Sequence, residues 1–108
     1  MIQHKSLSEG GWRTLSLMEQ LGNIGSEISR AIRSQNKDEN LFNGAVLRAL
    51  ELFDLTLEDP RWQKRLWEIA RAREVFCDTI FGEKEYRTTL NDLLRYFDQF
   101  AYAARLQS

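Results

Sequence analysis

Apolar residues recur along this chain at spacings of three and four, which is the period of an amphipathic α-helix. The first series lies between Ser16 and the polar segment 35–40. Ser16 stands three residues before Glu19, the sequence pattern of a capping box. The pattern predicts a first helix over residues 16–34. Its apolar positions are Leu17, Leu21, Ile24, Ile28, Ala31 and Ile32.

A second series predicts a helix over residues 40–57, capped by Asp38 or Asn40. Leu41, Leu52 and Leu55 add apolar surface outside its main face, so we expect this helix to be covered on more than one side. The main apolar face consists of Phe42, Ala45, Val46, Ala49, Leu50, Phe53 and Leu57.

The third and fourth helices have their own start and stop signals. Asp59 followed by Pro60 predicts a helix start, because an acid suits the cap and proline suits the first helical position. Gly82 is placed to end this third helix, and Thr89, three residues before Asp92, is placed to open the fourth. The apolar stripes are Trp62, Leu66, Ile69, Phe76 and Ile80 in the third helix, and Leu90, Leu93, Leu94, Phe97, Phe100, Ala101 and Ala104 in the fourth.

Four amphipathic helices of about 17 to 23 residues with short connections predict an all-α fold, an antiparallel up-down four-helix bundle. No alternation of apolar and polar residues typical of strands competes with this pattern. We expect residues 1–108 to form a single domain. Residues 1–13 are polar and contain glycine, so we expect a loose start that becomes ordered near Trp12.

Two glycines, Gly22 and Gly25, lie inside the first predicted helix, where each costs about 1 kcal/mol relative to alanine. They lie beside its apolar stripe, and small residues let another helix approach closely. The alternative is a ligand pocket above the glycines, with Asn23 and Glu27 as polar contacts. We expect close packing, so that Gly25→Leu overpacks the core by about 1–3 kcal/mol and Gly25→Ala is tolerated.

Composition narrows the class of protein. The 108 residues are 43% hydrophobic and 29% charged, an ordinary globular balance. The net charge of −1 gives no overall electrostatic reason to expect nucleic acid or an anionic membrane as partner. No apolar stretch approaches the roughly 20 residues of a membrane span, and the first residues lack the apolar run of a signal peptide. With a lone cysteine as well, we expect a cytoplasmic protein.

Four blocks of sequence occur together: LSLMEQLGNIGSEISRA, ALELFDLTLEDPRW, REVFCDTIFG and YFDQFAYAARL. In combination they resemble a family of short, uncharacterised bacterial helical proteins over residues 12–106. The resemblance implies a helical fold and carries no activity. In architecture the chain is also similar to four-helix proteins encoded in ribosomal-RNA intervening sequences and to retroelement accessory proteins. The latter assemble as basic rings that bind nucleic acid and a reverse transcriptase.

The residue inventory excludes several chemistries. The only histidine, His4, lies in the predicted loose start, so a Ser-His or Cys-His nucleophile would lack its base. One histidine and one cysteine cannot form a zinc site within one chain, and no Glu-x-x-His pair of a di-iron protein is present. Cys77 is expected to be a buried small hydrophobe. We predict no catalytic residue and no cofactor.

Two acidic pairs permit one metal hypothesis. Glu51 and Asp54 are three residues apart and Glu74 and Asp78 are four apart, so each pair shares one helical face. Hairpinned helices could gather the four acids into a Mg²⁺ site for a triphosphate. The pattern loosely resembles the all-α nucleotide pyrophosphohydrolases. Salt bridges between helices are the favoured interpretation.

A basic stripe on the third helix permits a nucleic-acid hypothesis. It consists of Arg61, Lys64, Arg65 and Arg71, and Trp67 lies off the apolar stripe near it. The second helix is acidic, so charge pairing between adjacent helices explains the same residues without a ligand. That pairing is the favoured interpretation.

Arg73 occupies a position of the third apolar stripe where an aliphatic residue would fit the period. A buried arginine needs a carboxylate, because an unpaired buried charge costs several kcal/mol. Glu27, Glu51 and Asp54 are the candidate partners. We therefore predict Arg73 and Glu27 as buried polar side chains, with Arg73→Ala costing roughly 3 kcal/mol.

The second and fourth helices carry more apolar side chains than one core face needs, and such a surplus is typical of an interface. The sequence therefore favours a non-enzymatic protein-interaction or self-association module, forming a homo-oligomer or binding a protein partner. The alternatives are a nucleic-acid-binding accessory protein that uses the basic stripe, and a Mg-dependent pyrophosphohydrolase. The candidate interface residues are Leu52, Leu55, Tyr96 and Tyr102.

Overall fold

The computed structural model describes residues 11–82 and 89–107. Within these ranges the chain contains helices and no strand, which confirms the all-α prediction. The α-helices are α1 (Leu17–Ser34), α2 (Glu39–Leu57), α3 (Leu66–Phe81) and α4 (Leu90–Gln107). Two 3-10 helices, Gly11–Thr14 and Pro60–Arg65, precede α1 and α3.

Capping boxes open α1 and α4, as the sequence predicts. The Ser16 hydroxyl accepts a hydrogen bond from the Glu19 amide at 3.1 Å, and the Glu19 carboxylate accepts one from the Ser16 amide at 2.9 Å. Thr89 and Asp92 exchange the same two bonds at 3.1 Å each. These bonds satisfy amides that a helix start leaves without partners.

The start of the third helix differs from the prediction. Asp59 acts as a cap, accepting from the Arg61 amide at 3.0 Å, and Pro60 follows it. The segment it opens is the 3-10 helix Pro60–Arg65, and α3 begins only at Leu66. Trp62 has non-helical backbone angles, φ −104° and ψ 22°, and its indole donates to Gln20 of α1 at 2.9 Å. The contact with α1 accompanies this break in the regular helix.

Residues 11–13 are the last part of the predicted loose start, for which the sequence predicts order near Trp12. They belong to the 3-10 helix Gly11–Thr14, in which Trp12 is buried. The Trp12 indole donates to the Thr56 hydroxyl at 3.1 Å, so a tertiary contact with α2 orders this segment. The rest of the predicted loose start, including His4, lies outside the described residues.

The core lies where α1 meets α2 and α4, and α3 packs against α2. At its centre the ring of Phe53 contacts Phe76 at 5.8 Å and Phe97 at 5.7 Å between centroids, which joins α2, α3 and α4. By contrast, α3 and α4 make few direct contacts with each other. Between α3 and α4, one side of the described helical assembly is therefore open.

Two of the predicted interface residues lie against this core. Leu52 is only 1% exposed and belongs to the core, so its assignment to an interface is wrong. Leu55 is partly buried and packs against the core. The second helix is covered on more than one side, as expected, because both α1 and α3 pack on it.

The glycines of α1 provide close approach to α4. A Cβ atom at Gly25 would lie 2.9 Å from the Phe97 Cβ, and one at Gly22 would lie 3.1 Å from the Ala101 Cα. Carbon atoms in contact normally lie about 3.5–4.0 Å apart. The close-packing prediction is therefore confirmed, and the same geometry leads us to expect, against the sequence prediction, that Gly25→Ala is not tolerated.

Among the residues that the structure describes, none of the helices has the length and apolar character needed to cross a membrane.

Candidate functional site

A groove of about 300 Å³ lies between α3 and α4, on the open side of the assembly, and we call it the α3–α4 groove. Its lining is mainly apolar, and Glu68, Arg71 and Asp92 are its charged residues. The apolar contributors are Trp67, Ala72, Val75, Leu93 and Tyr96.

Trp67 is the most exposed large apolar side chain of this groove, at 75% of its full accessible area. The Arg71 guanidinium lies 5.7 Å from the centroid of its ring, within the range of a cation–π contact. The sequence places Trp67 off the apolar stripe of the third helix, and its exposure agrees with that position. An exposed indole beside an apolar groove is typical of a surface that another molecule covers.

Tyr96 joins the two walls of the groove. Its hydroxyl donates to the Glu68 Oε1 at 2.9 Å, so the bond bridges α4 and α3. Burial and, to a smaller extent, the hydrogen bond to the Glu68 carboxylate together raise the pKa of Tyr96 to about 12. The phenol therefore stays protonated at neutral pH and acts as a hydrogen-bond donor.

The predicted basic stripe on the third helix is largely engaged by acids. The Arg61 guanidinium lies 2.6 Å from Asp59, and that of Arg65 lies 3.1 Å from Glu68. The hydrogen bond from the Arg61 side chain lowers the pKa of Asp59 to about 2. Lys64 is exposed, and Arg71 lies beside Trp67. Charge pairing therefore accounts for much of the stripe, although within the 3-10 helix and α3 rather than with α2.

Arg73 is not a buried charge. Its side chain is 34% exposed, and its Nε donates to the Asp54 Oδ1 at 2.9 Å. The Asp54 side chain is itself 54% exposed. The long arginine side chain reaches from the apolar stripe to the solvent edge between α2 and α3, which is how its charge avoids burial. Asp54 was one of the three expected partners.

Glu27 is a buried acid, at 3% exposure. The Arg30 Nη1 lies 2.7 Å from its Oε2, and the Arg48 Nε lies 3.1 Å from its Oε1. Its partners are thus α1 and α2 arginines rather than Arg73. One carboxylate here orients two guanidinium groups.

The proposed magnesium ligands do not form a cation site. In the described part of the chain, no group of three or more His, Cys, Asp or Glu residues is placed to hold a metal ion. Asp54 instead binds Arg73, while Glu51, Glu74 and Asp78 are each engaged in other interactions. The helical spacing puts two acids on one face of each helix, but it does not bring the two faces together.

Cys77 also differs from the prediction. It is partly exposed rather than buried. Its Sγ lies 3.8 Å from the Arg73 Nη1, at the margin of the α2–α3 contact.

Tyr102, the remaining predicted interface residue, lies away from the α3–α4 groove. It is 59% exposed and lines a cleft between α1 and α4 instead. Of the four predicted interface residues, Tyr96 alone is part of the groove.

The sequence interpretation missed a buried polar network centred on Gln20. Its side-chain amide donates to the Trp12 carbonyl at 2.9 Å and to Asp59 at 3.3 Å, and its oxygen accepts from Trp62 at 2.9 Å. These bonds join the first 3-10 helix, α1 and the start of the second 3-10 helix. The spacing of residues 17, 20, 24, 27 and 31 could have indicated this network. Gln20 and Glu27 alternate there with apolar residues on one face of the first helix, so both should be buried.

Comparison of the sequence with protein-family models, with curated proteins and with solved structures finds no match. The resemblance to short bacterial helical proteins stays a prediction.

Proposed function

We propose that the protein is a non-enzymatic self-association module, in which two copies pair through the α3–α4 groove. The observation that carries this proposal is the 75% exposure of Trp67 beside an apolar groove of about 300 Å³. Tryptophan buries about 150–250 Å² and is enriched among the residues that dominate binding energy. Dimerisation that covers Trp67 removes this apolar area from water.

The α3–α4 groove provides the place for a second copy. Because these two helices make few direct contacts, the groove beside Trp67 and Val75 has room for side chains from outside the chain. A helix laid into such a groove is a common mode of recognition, in which a few apolar side chains act as anchors. Trp67 is the anchor in this proposal.

The charges of the groove favour a second copy over an acidic or basic partner. Both signs are present, with Glu68 and Arg71 on α3 and Asp92 on α4. In a dimer with a two-fold axis, both copies contribute the same surface to the interface. A basic residue on one wall of the groove can therefore contact an acidic residue of the other copy. Arg71 and Asp92 are the pair that such an axis would join.

We also propose that the four helices form an antiparallel up-down bundle. Three sets of contacts support this topology. Gly22 of α1 lies against Ala101 of α4, and Gly25 lies against Phe97. Residue numbers therefore rise along α1 while they fall along α4, as in antiparallel helices. Similarly, residues 20 and 27 contact residues 59 and 48, and α3 residues 73 and 76 contact α2 residues 54 and 53. The short connection of residues 35–38 between α1 and α2 is typical of antiparallel neighbours.

A cytoplasmic location is part of the same proposal. The sequence holds a single cysteine, so the chain cannot form an internal disulfide, and a reducing compartment suits such a protein.

Light scattering after size-exclusion chromatography tests the self-association. At micromolar concentration we expect twice the chain mass of 12.7 kDa for the wild type. Trp67→Ala should weaken dimerisation by about 30-fold, because truncating an anchor residue costs about 2 kcal/mol. Tyr102→Ala is the matched control, since it removes an exposed aromatic ring outside the groove. A monomeric wild type, or a Trp67→Ala variant that dimerises like the wild type, would overturn the proposal.

A further inference from the structure

A second cleft, the α1–α4 cleft, lies on a different face of α4 and has a volume of about 600 Å³. It is predominantly polar, in contrast to the α3–α4 groove. On the α1 side it exposes the serines that follow the two glycines, Ser26 and Ser29. Arg30 and Arg33 of α1 and Arg105 of α4 also line it.

The positive surface continues beyond this cleft. An adjoining groove of about 360 Å³ at the end of α1 and the start of α2 is lined by Lys37 and Arg48. Arg30 and Arg33 line both cavities, so the two form one continuous basic surface. We call this surface the basic edge, and it consists of Arg30, Arg33, Lys37, Arg48 and Arg105.

Among the described residues, fewer acids than basic residues line the basic edge. Its two cavities are lined by five basic residues and by two acidic ones, Asp38 and Asp98. The Asp38 carboxylate caps α2 by accepting from the Leu41 amide at 3.1 Å. The buried Glu27 is a single carboxylate shared by Arg30 and Arg48. A chain with a net charge of −1 therefore concentrates positive charge on this edge.

Glu27 acts as a positioning residue for the edge. Its two oxygens fix the guanidinium groups of Arg30 and Arg48, whose side chains stay 53% and 27% exposed. Guanidinium groups held in a fixed orientation bind phosphate oxygens well, because their N–H donors form a planar fork. The basic stripe of the third helix differs, since Arg61 and Arg65 each have a carboxylate of their own.

Tyr102 supplies the second element of the site. It is 59% exposed and lines the same cleft as Arg30, Arg33 and Arg105. Proteins that bind single-stranded nucleic acids combine a positively charged groove, which follows the backbone, with aromatic side chains on which bases stack. The cleft unites both features.

We propose that the basic edge and Tyr102 bind single-stranded nucleic acid. The arginines and Lys37 contact successive phosphates, the serine hydroxyls offer further donors, and Tyr102 stacks on a base. The extent of the edge over two adjoining cavities matches several phosphates in series rather than one. This binding does not depend on the proposed self-association.

Fluorescence anisotropy with labelled single-stranded RNA and DNA of about 15 nucleotides, starting at about 50 mM salt, tests the proposal. With three to four phosphates contacted, log K should fall with log salt with a slope of about −2 to −3. We expect Arg33→Gln to weaken binding by about fivefold or more, and Tyr102→Ala to weaken it similarly through the loss of stacking. Lys64→Gln is the matched control on the third-helix stripe and should change affinity by less than about twofold.

Arg33 and Tyr102 are exposed, so both variants should melt like the wild type in circular dichroism. Three results would overturn the proposal: no oligonucleotide binding at low salt, equal weakening by Lys64→Gln, or equal affinity of the wild type and Tyr102→Ala. Binding of inorganic tripolyphosphate without oligonucleotide would assign the edge to a small phosphate ligand instead. Binding of anionic phospholipid vesicles without oligonucleotide would assign it to a membrane surface, and either result also overturns the proposal.

Discussion

At the scale of single residues, the polar side chains that begin in the interior differ in where their polar groups lie. Some find hydrogen-bond partners inside the protein, and others reach solvent. Gln20 is fully buried, and its donors and acceptor all have partners. Arg73 has a similar position in the helical pattern, yet its long aliphatic stem carries the charge out to solvent. Burial of a charge therefore depends on side-chain length as well as on position in the helix.

The pairing of Arg73 and Asp54 should contribute little to stability. Because both side chains are well exposed, we expect Arg73→Ala to lower the free energy of unfolding by less than about 1 kcal/mol. Glu27→Ala is the contrasting variant, and it should cost about 2 kcal/mol or more, since it removes a buried carboxylate between two arginines. Urea denaturation measures both values. Equal losses for the two variants would contradict this assignment of burial.

Asp59 should make stability depend on pH in acid. Its pKa is about 2 in the folded state and 3.8 ordinarily, so the unfolded chain binds the proton more readily. The stabilisation is complete above about pH 4 and is lost as the pH falls towards 2. The shift corresponds to about 2 kcal/mol. Urea denaturation between pH 5 and 2 should show this extra loss in the wild type but not in Asp59→Asn, and parallel curves would exclude it.

At the scale of helices, the contact between α1 and α4 depends on the absence of side chains. Gly25 costs helix propensity, yet its missing Cβ lets the Phe97 side chain approach α1. Phe97 in turn contacts Phe53 at the centre of the core. The glycine is therefore required by packing between helices and not by the conformation of its own helix.

Two alanine variants separate helix propensity from packing. Gly25→Ala places a Cβ 2.9 Å from that of Phe97 and should destabilise the protein by about 1–3 kcal/mol. Gly44→Ala, inside α2, meets only the flexible Arg48 guanidinium at 3.3 Å and should be neutral or stabilising by up to about 1 kcal/mol. Thermal and urea unfolding of both variants provide the test. A stabilised Gly25→Ala protein would show that α4 can move away without cost.

At the scale of the whole molecule, the unequal contacts between helices determine which surface is open. The helix α1 packs closely against α2 and α4, whereas α3 and α4 leave a groove between them. The apolar groove and the basic edge lie on different faces of the chain. A dimer formed through the groove would leave both copies of the basic edge accessible.

Self-association through the groove should also stabilise the fold. A tenfold increase in protein concentration should raise the Tm of the wild type by a few degrees, because dimerisation favours the folded state by mass action. The Tm of Trp67→Ala should be insensitive to the same change. Differential scanning fluorimetry over a hundredfold range of concentration measures the difference, and a concentration-independent wild type would contradict the dimer.

Local interactions explain which features of the fold could be predicted from the order of the residues. The helical period, the Ser16–Glu19 and Thr89–Asp92 capping boxes and the caps at Asp38 and Asp59 act within a few residues, so they can be read from spacing alone. The number and approximate bounds of the helices followed, as did the close packing at the glycines.

Tertiary structure decided the rest, because a helical period gives the direction of a side chain but not the distance to the neighbouring helix. The burial of Leu52, the 3-10 start at Pro60 and the separation of the acidic pairs all depend on how helices meet. The groove beside Trp67 and the basic edge likewise combine residues that are distant in sequence. Only the packed chain brings the residues of each surface together.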